Sequence, residues 1–268
     1  MKLLGIIGKP VENSFSPEIY NSFFKRIGLP WRYLAFQVEK KYLKNLVVCM
    51  KLVDLYGLNI TAPYKETVLP FLDRLDPSAR ESGAVNTIVR RGNRFIGFNT
   101  DGDGFCNALK EQKKIVLKGK TIAVIGAGGA ARGIAAALAK RGAKNIQLLN
   151  RNLYKAKKGA AHLKKHFPKT RWTALALTLK NLKKSFTTAD ILVHATSADL
   201  KLPLQWLGPK ALVCDIRYQK GLTPLLKAAK KEKLSTLDGL WMLAHQASLN
   251  LKLWTQKNIP PGKLLPSS

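Results

Sequence analysis

Short apolar runs bounded by glycine, proline or asparagine alternate along this chain with longer segments whose apolar residues recur three and four apart. The first kind reads as buried strands and the second as helices. A strand near Leu3–Ile7 precedes a helix opening at Ser16-Pro17, whose Ile19, Phe23, Phe24 and Ile27 form one apolar stripe, and Gly28-Leu29-Pro30 stops it. A second strand near Trp31–Phe36, a helix around Lys40–Leu55 and a third strand at Gly57–Ile60 follow. Strands separated by helices imply right-handed crossovers and a parallel core. Ala84–Ile88 and Phe95–Phe98, joined across Arg90–Asn93, predict an antiparallel hairpin at the sheet edge.

A second α/β unit begins after the Lys-rich segment Lys110–Lys120, which reads as a domain junction. Its strands are predicted near Thr121–Ile125, Asn145–Leu149, Asp190–Ala195 and Ala211–Asp215, with helices between them. Asp238 reads as the N-cap of a last helix running to about Lys257, and Ile259–Ser268 as an irregular tail. The fold class is therefore α/β with two domains.

Within the second unit, Thr121–Ile125 breaks into the turn Gly126-Ala127-Gly128-Gly129-Ala130 and then an Ala-rich helix to Arg141. This strand, glycine turn and helix make a dinucleotide-binding pattern. Gly126 allows the tight turn, Gly128 close approach of a pyrophosphate to helix N-terminal amides, and Ala131 close packing. Where such a unit meets the ribose, after the next strand, stand Asn150 and Arg151 and no acid. From Gln112 to Ala189 there is no Asp or Glu, against nineteen Lys and Arg. A basic ribose corner suits a 2′-phosphate and offers no carboxylate to a bare 2′-hydroxyl, which predicts NADP(H) over NAD.

Composition narrows the class. At 268 residues, 46% of them hydrophobic, the chain is long enough for two cored domains. It holds no apolar run long enough to span a membrane, and Leu3–Ile7 is too short for a signal-peptide core. Cys49, Cys106 and Cys214 are few and far apart, which suggests neither disulfides nor zinc and points to the cytoplasm. The formal charge of +30 admits phosphate binding by counterion release or a lysine-rich surface spread over many helices. Aromatic residues do not interleave with the basic runs, so no specific nucleic-acid partner is expected. The field would draw an anionic substrate and a phosphorylated cofactor inward, less so at high salt. His162 and His166 lie four apart on a predicted helix with no nearby carboxylate, so no metal site is expected.

Candidate chemistry lies in the first unit. Asn59-Ile60-Thr61-Ala62-Pro63-Tyr64-Lys65 follows the third strand, at the kind of strand edge where open α/β sheets hold ligands. Gly97-Phe98-Asn99-Thr100-Asp101 closes the hairpin. If these edges face each other, Lys65 pairs with Asp101, and a lysine so placed can exchange a proton with a ligand oxygen while hydride moves at the carbon. The residues read equally well as a solvated lysine and a helix cap.

Gly8-Lys9-Pro10-Val11-Glu12-Asn13-Ser14-Phe15-Ser16-Pro17, Asn59 through Lys65, Gly83-Ala84-Val85-Asn86-Thr87, Asn99-Thr100-Asp101, Asn150-Arg151, Tyr218, Thr223-Pro224-Leu225-Leu226 and Gly239 through Met242 to Gln246 occur in order. On these motifs the chain resembles, from end to end, the shikimate dehydrogenase family. The resemblance implies reversible reduction of 3-dehydroshikimate to shikimate with NADP(H), within aromatic amino acid (chorismate) biosynthesis. It implies Lys65 as the proton-transfer residue and Asp101 as its partner, Ser14 and Ser16 on the substrate carboxylate, and Asn59, Thr61, Asn86, Tyr218 and Gln246 around the ring. It further implies a cofactor site of Gly126, Ala127, Gly128, Gly129, Ala130, Asn150, Arg151, Asn152, Lys155, Thr196, Ser197, Ile216, Gly239 and Met242. An N-terminal, mostly parallel substrate domain (1–103 with 238–268) and a Rossmann-like NADP-binding domain (104–237) would bracket a substrate cleft. Neither a membrane nor a specific nucleic acid is an expected partner; the enzyme would be a monomer or homodimer.

Several positions depart from the family pattern. His194-Ala195-Thr196-Ser197-Ala198-Asp199-Leu200 stands where Asn-Ala-Thr-Ser-x-Gly-Met is usual, and aspartate adopts positive φ less readily than glycine. Gln219-Lys220 replaces Asn-Pro, Asn152 a threonine and Ala247 a glycine. His194 reads as a structural strand-end histidine. These departures bear on cofactor binding and loop geometry. Two other readings stay open: a quinate/shikimate dehydrogenase, and a non-catalytic NADP-binding or nucleic-acid-binding paralogue.

Overall fold

In a computed structural model, residues 1–219 and 221–265 are described, the side chain of Lys51 excepted. The chain divides into two compact units, Met1–Asp101 with the segment from Ala244 onward, and Gly102–Leu243.

The first unit contains β1 (Lys2–Gly8), α1 (Ser16–Arg26), β2 (Trp31–Gln37), α2 (Leu43–Leu52), β3 (Leu55–Ile60), β4 (Arg74–Leu75), α3 (Pro77–Ser82), β5 (Thr87–Arg91) and β6 (Arg94–Phe98). Its sheet has the order β2-β1-β3-β5-β6-β4. β1 runs parallel to β2 and β3, whereas β5 is antiparallel to both β3 and β6. The hairpin is therefore internal. The two-residue β4 pairs parallel with β6 and takes the edge, and it is too short to leave a periodic signal. The predicted second helix is preceded by a 3₁₀ turn at Lys40–Tyr42. Ile7, Leu58, Ile60, Ile88 and Phe95 pack against Met50, Tyr64 and Val68.

The second unit takes the chain through α4 (Asp101–Lys113), β7 (Thr121–Ile125), α5 (Gly129–Lys140), β8 (Asn145–Asn150), α6 (Leu153–His166), β9 (Arg171–Ala176), α7 (Leu179–Phe186), β10 (Ile191–His194), β11 (Leu212–Asp215), α8 (Pro224–Lys231) and β12 (Ser235–Leu237), and α9 (Gly239–Thr255) closes the chain's helices. All six strands are parallel, in the order β12-β11-β10-β7-β8-β9. Both faces of such a sheet are covered, which explains apolar runs without alternation. Ile122 and Val124 face the core with α4, α5 and α6, while Ala123 and Ile125 join the core with α7 and α8. The strand order reverses between β7 and β10, the topological switch where α/β sheets hold ligands.

Three sequence expectations need correction. The Lys-rich segment is no junction: Lys110 and Lys113 lie in α4, and Leu117 is in the second unit's core. β9 and β12 were not foreseen; β9 is an edge strand with Arg171 exposed and the other five residues half-buried, and β12 spans three residues. The tail forms a 3₁₀ turn at Pro261–Leu264 with Leu264 buried, while residues 266–268 lie outside the described ones. Among the described residues no helix is long and apolar enough to cross a membrane.

α4 and α5 approach so closely that only hydrogen fits at Gly102. A Cβ there would stand 2.6 Å from Ala137 Cβ and press on the Gly133 carbonyl. Gly102→Ala is therefore expected to lower the unfolding free energy by roughly 1–3 kcal/mol in urea titration; an unchanged midpoint and slope would refute this close packing.

Candidate active site

The C-terminal ends of β1, β3 and β6 and the N-terminal end of β5 share one edge of the first unit's sheet. Backbone bonds stitch the emerging turns together. Thr61 N donates to Ile7 O (2.9 Å), Ile60 N to Asn86 O (2.8 Å), Val85 N to Lys65 O (2.7 Å) and Asn86 N to Phe98 O (3.0 Å). Gly8 has no room for a Cβ because the Thr61 methyl occupies that space. Its bareness lets the Ser14 segment and the Thr61 segment leave the sheet side by side.

At this edge Lys65 Nζ donates to Asp101 Oδ2 at 2.5 Å, with the two side chains 15% and 6% exposed. Two shielded charges of opposite sign stabilise each other far more than an exposed pair, provided their remaining valences are satisfied. Asn86 serves the Asp101 side of the pair, donating from Nδ2 to Asp101 Oδ1 (2.8 Å) and to Thr100 Oγ1 (2.9 Å). Its Oδ1 accepts from Thr100 N at 2.8 Å. Thr100 Oγ1 and Thr87 Oγ1 in turn lie 2.8 and 2.7 Å from Asn250 Oδ1 on α9. Asn250 Nδ2 donates to Gln246 Oε1 (2.9 Å) and to Tyr20 Oη (3.0 Å), whose ionisation burial pushes up, so the hydroxyl stays neutral. A continuous buried chain thus runs from the ammonium of Lys65 to Gln246.

Two expected ring ligands belong to this framework. Both Nδ2 donors of Asn86 are used, and Asn59, 5% exposed, donates to Asn86 O and Thr87 Oγ1 while accepting from Tyr33 Oη. Thr61 and Ser14 are half-buried, Ser16 and Gln246 buried. Ser16 is the first residue of α1 and does not cap it; its amide donates to Ser14 Oγ at 3.3 Å. Tyr218 is half-buried in the second unit. Asn250 was missed by sequence reasoning. Its signal was a second amide one turn beyond Gln246, among the apolar residues Leu243, Ala247, Leu251 and Trp254.

In the second unit the glycine turn has the shape a dinucleotide needs. Gly126 sits at φ +125°, and a Cβ there would stand 2.6 Å from Ala195 O. Gly128, at the N-cap of α5, is exposed, and no heavy atom comes within 4 Å of its Cβ position. Free amides with open space above them fit a pyrophosphate. Asn152 caps α6, its side chain accepting from Lys155 N at 3.2 Å, so it serves as well as the usual threonine. Asn150 donates to Asn152 O, and Arg151 and Lys155 are exposed beside this turn. Thr196 is half-buried and Ser197 exposed. Met242 lies in the core, with half-buried Ile216 packed on it, and Gly239 leaves room for the Ile216 and Arg217 carbonyls. Asp199 is not among the positive-φ residues, so its replacement of glycine costs no backbone strain. Gln219 Nε2 donates to Leu222 O at 3.1 Å; Lys220 lies outside the described residues.

Comparison with known proteins finds the same family across nearly the whole chain. Residues 6–88 match the model of the shikimate dehydrogenase substrate binding domain, and residues 108–204 that of shikimate / quinate 5-dehydrogenase. The chain is 39% identical to the shikimate dehydrogenase (NADP(+)) of Desulforamulus reducens, covering 97% of this chain and 91% of that protein. It is 37% identical to that of Bacillus subtilis, covering 95% and 91%. A shikimate dehydrogenase crystal structure in complex with NADP+ superposes with a TM-score of 0.88 at 35% identity, covering 98% of this chain and 93% of the other.

His194 and Asp215 end adjacent strands, each 1% exposed, with Nδ1 3.0 Å from Oδ1. Burial raises the Asp215 pKa, but hydrogen bonds from His194, Arg217 and Thr223 outweigh it and hold the carboxyl at about 2. A folded pKa below the unfolded value of about 3.9 stabilises the fold above that pH, by roughly 2 kcal/mol, and the gain vanishes as pH falls toward about 2. Asp215→Asn should accordingly flatten the acid limb of stability between about pH 4 and 2. Urea titrations across that range test it, and an identical limb in both proteins would contradict the assignment.

Proposed function

The chain belongs to the shikimate dehydrogenase family, and on that premise we propose that it reduces 3-dehydroshikimate reversibly to shikimate with NADPH, Lys65 and Asp101 carrying the proton. It is an NADP-dependent oxidoreductase acting on a CH–OH group. The observation that supports the assignment most is the shielded Lys65–Asp101 contact of 2.5 Å, built into a polar network at a sheet edge.

NADPH, when bound, supplies the hydride. Lys65 delivers a proton from Nζ to the ketone oxygen as that oxygen gains charge, and takes it back from the hydroxyl in the reverse direction. Asp101 keeps the ammonium in place, and Asn86 keeps Asp101 in place. The neutral hydroxyls of Ser14 and Ser16 suit the substrate carboxylate, and Thr61, Gln246 and Tyr218 the ring hydroxyls. Asn59 and Asn86 are assigned to positioning, because their amide donors are spent internally. The glycine turn and the N-terminus of α5 hold the pyrophosphate, and Arg151 with Lys155 the 2′-phosphate. The three cysteines are free thiols, as suits a cytoplasmic enzyme.

A spectrophotometric assay with 3-dehydroshikimate and NADPH tests the reading, and rates on shikimate against quinate separate it from a quinate dehydrogenase. Lys65→Ala should lower kcat by about 10²–10⁴-fold while NADPH affinity is retained; near-wild-type turnover would remove Lys65 from the mechanism. NADPH should be preferred over NADH, and Arg151→Ala should narrow that preference by about ten-fold, the loss of one charge-assisted contact. Equal use of the two cofactors by the wild type would refute the role of Arg151.

A further inference from the structure

The second unit contains a closed ring of hydrogen bonds that the proposed reaction does not use. Asp215, at the end of β11, accepts from Arg217 Nε at 3.2 Å on both oxygens, from Arg217 Nη2 at 2.9 Å and from Thr223 Oγ1 at 2.7 Å. An ionised carboxylate only accepts, so the proton between His194 and Asp215 sits on Nδ1, and in the neutral imidazole Nε2 then accepts from Thr196 Oγ1 at 3.1 Å. Thr196 Oγ1 in turn accepts from Ala198 N at 3.2 Å. Arg217 Nη1 closes the ring, reaching Ala198 O at 3.4 Å and Asp199 Oδ1 at 3.3 Å. One buried carboxylate therefore holds the loop after β10 from both sides.

The loop's place gives the ring its consequence. Ala195 O and Thr196 Cγ2 lie 2.6 and 3.1 Å from the Cβ position of Gly126, so the loop is a wall of the glycine turn. A carboxylate on that wall opposes an anionic dinucleotide unless a cation neutralises it. Asp199, 65% exposed, is the carboxylate of this loop, and Arg217 is the cation that meets it.

We propose that Arg217 is a positioning residue for the cofactor: anchored on Asp215, it neutralises Asp199 and holds the Ala198 carbonyl, and so keeps the Thr196–Asp199 loop in a shape that accepts NADPH. The proposal rests on the NADPH reading above. It predicts control of cofactor affinity with little effect on the chemical step.

The test is a double-mutant cycle on the full chain, read by NADPH fluorescence without substrate and by steady-state kinetics. Arg217→Met should raise both Kd and KM for NADPH by about 5–10-fold, with kcat and the KM for 3-dehydroshikimate shifting less than about two-fold. In the Asp199→Asn background, where the loop itself carries no uncompensated charge, the same substitution should cost about two-fold or less. Arg217→Lys should recover part of the loss, because an ammonium restores charge but not the fork of contacts. Should Arg217→Met fail to fold, Arg217→Lys in both backgrounds supplies the same comparison. An unchanged NADPH affinity, an equal penalty in both backgrounds, or a loss confined to kcat would overturn the proposal. A wild type that binds NADPH but leaves 3-dehydroshikimate unreduced would sink the reaction reading and leave the latch test standing.

Discussion

A lysine ammonium and an aspartate carboxylate, both largely withdrawn from water and 2.5 Å apart, constrain everything around them. Either charge alone would be costly to bury, and the pair is tolerable only if each remaining lone pair and proton finds a partner. Asn86 meets that demand at Asp101, and meeting it commits Thr100, Thr87, Asn250 and Gln246 in sequence. The polar residues of this sheet edge are therefore interdependent, and a half-satisfied version would be worse than none. That interdependence is also a chemical asset. In the proposed role of proton donor, a lysine locked by a buried network has little freedom to lose when substrate arrives.

The second unit solves a different electrostatic problem. Its cofactor is a polyanion, and it offers backbone amides at Gly128 and the N-terminus of α5, surrounded by a segment that lacks carboxylates from Gln112 to Ala189. The all-parallel sheet puts the glycine turn and the loop after β10 next to each other at the switch point. The first acids after that segment, Asp190, Asp199 and Asp215, are each paired with a cation: Lys120 for the first, Arg217 for the other two. The large positive charge of the chain acts in the same sense, as a long-range field that attracts phosphates and weakens with salt.

Much of this was legible from the residues. The apolar runs at Leu3–Ile7 and Thr121–Ile125 fall on β1 and β7, because buried parallel strands need uninterrupted apolar sequence. The glycine turn was legible because Gly126 must adopt a conformation closed to other residues. β4 and β12 escaped notice because two or three residues carry no period, and β9 because no position of this edge strand is fully buried. The internal bonds of Asn59 and Asn86 were not legible for another reason. An amide near a site reads as a ligand in the sequence, and only its neighbours reveal that its donors are already spent.

Local order along the chain was enough to determine the α/β class and the glycine turn, and to nominate the basic ribose corner and a candidate proton carrier, because each depends on residues close together in sequence or on one residue's chemistry. Tertiary structure alone decided which side chains share a proton or a charge. Lys65 meets Asp101, Thr100 meets Asn250 and His194 meets Asp215 across separations of 36, 150 and 21 residues. Such pairings follow from strand order and register, and no spacing in the chain encodes them.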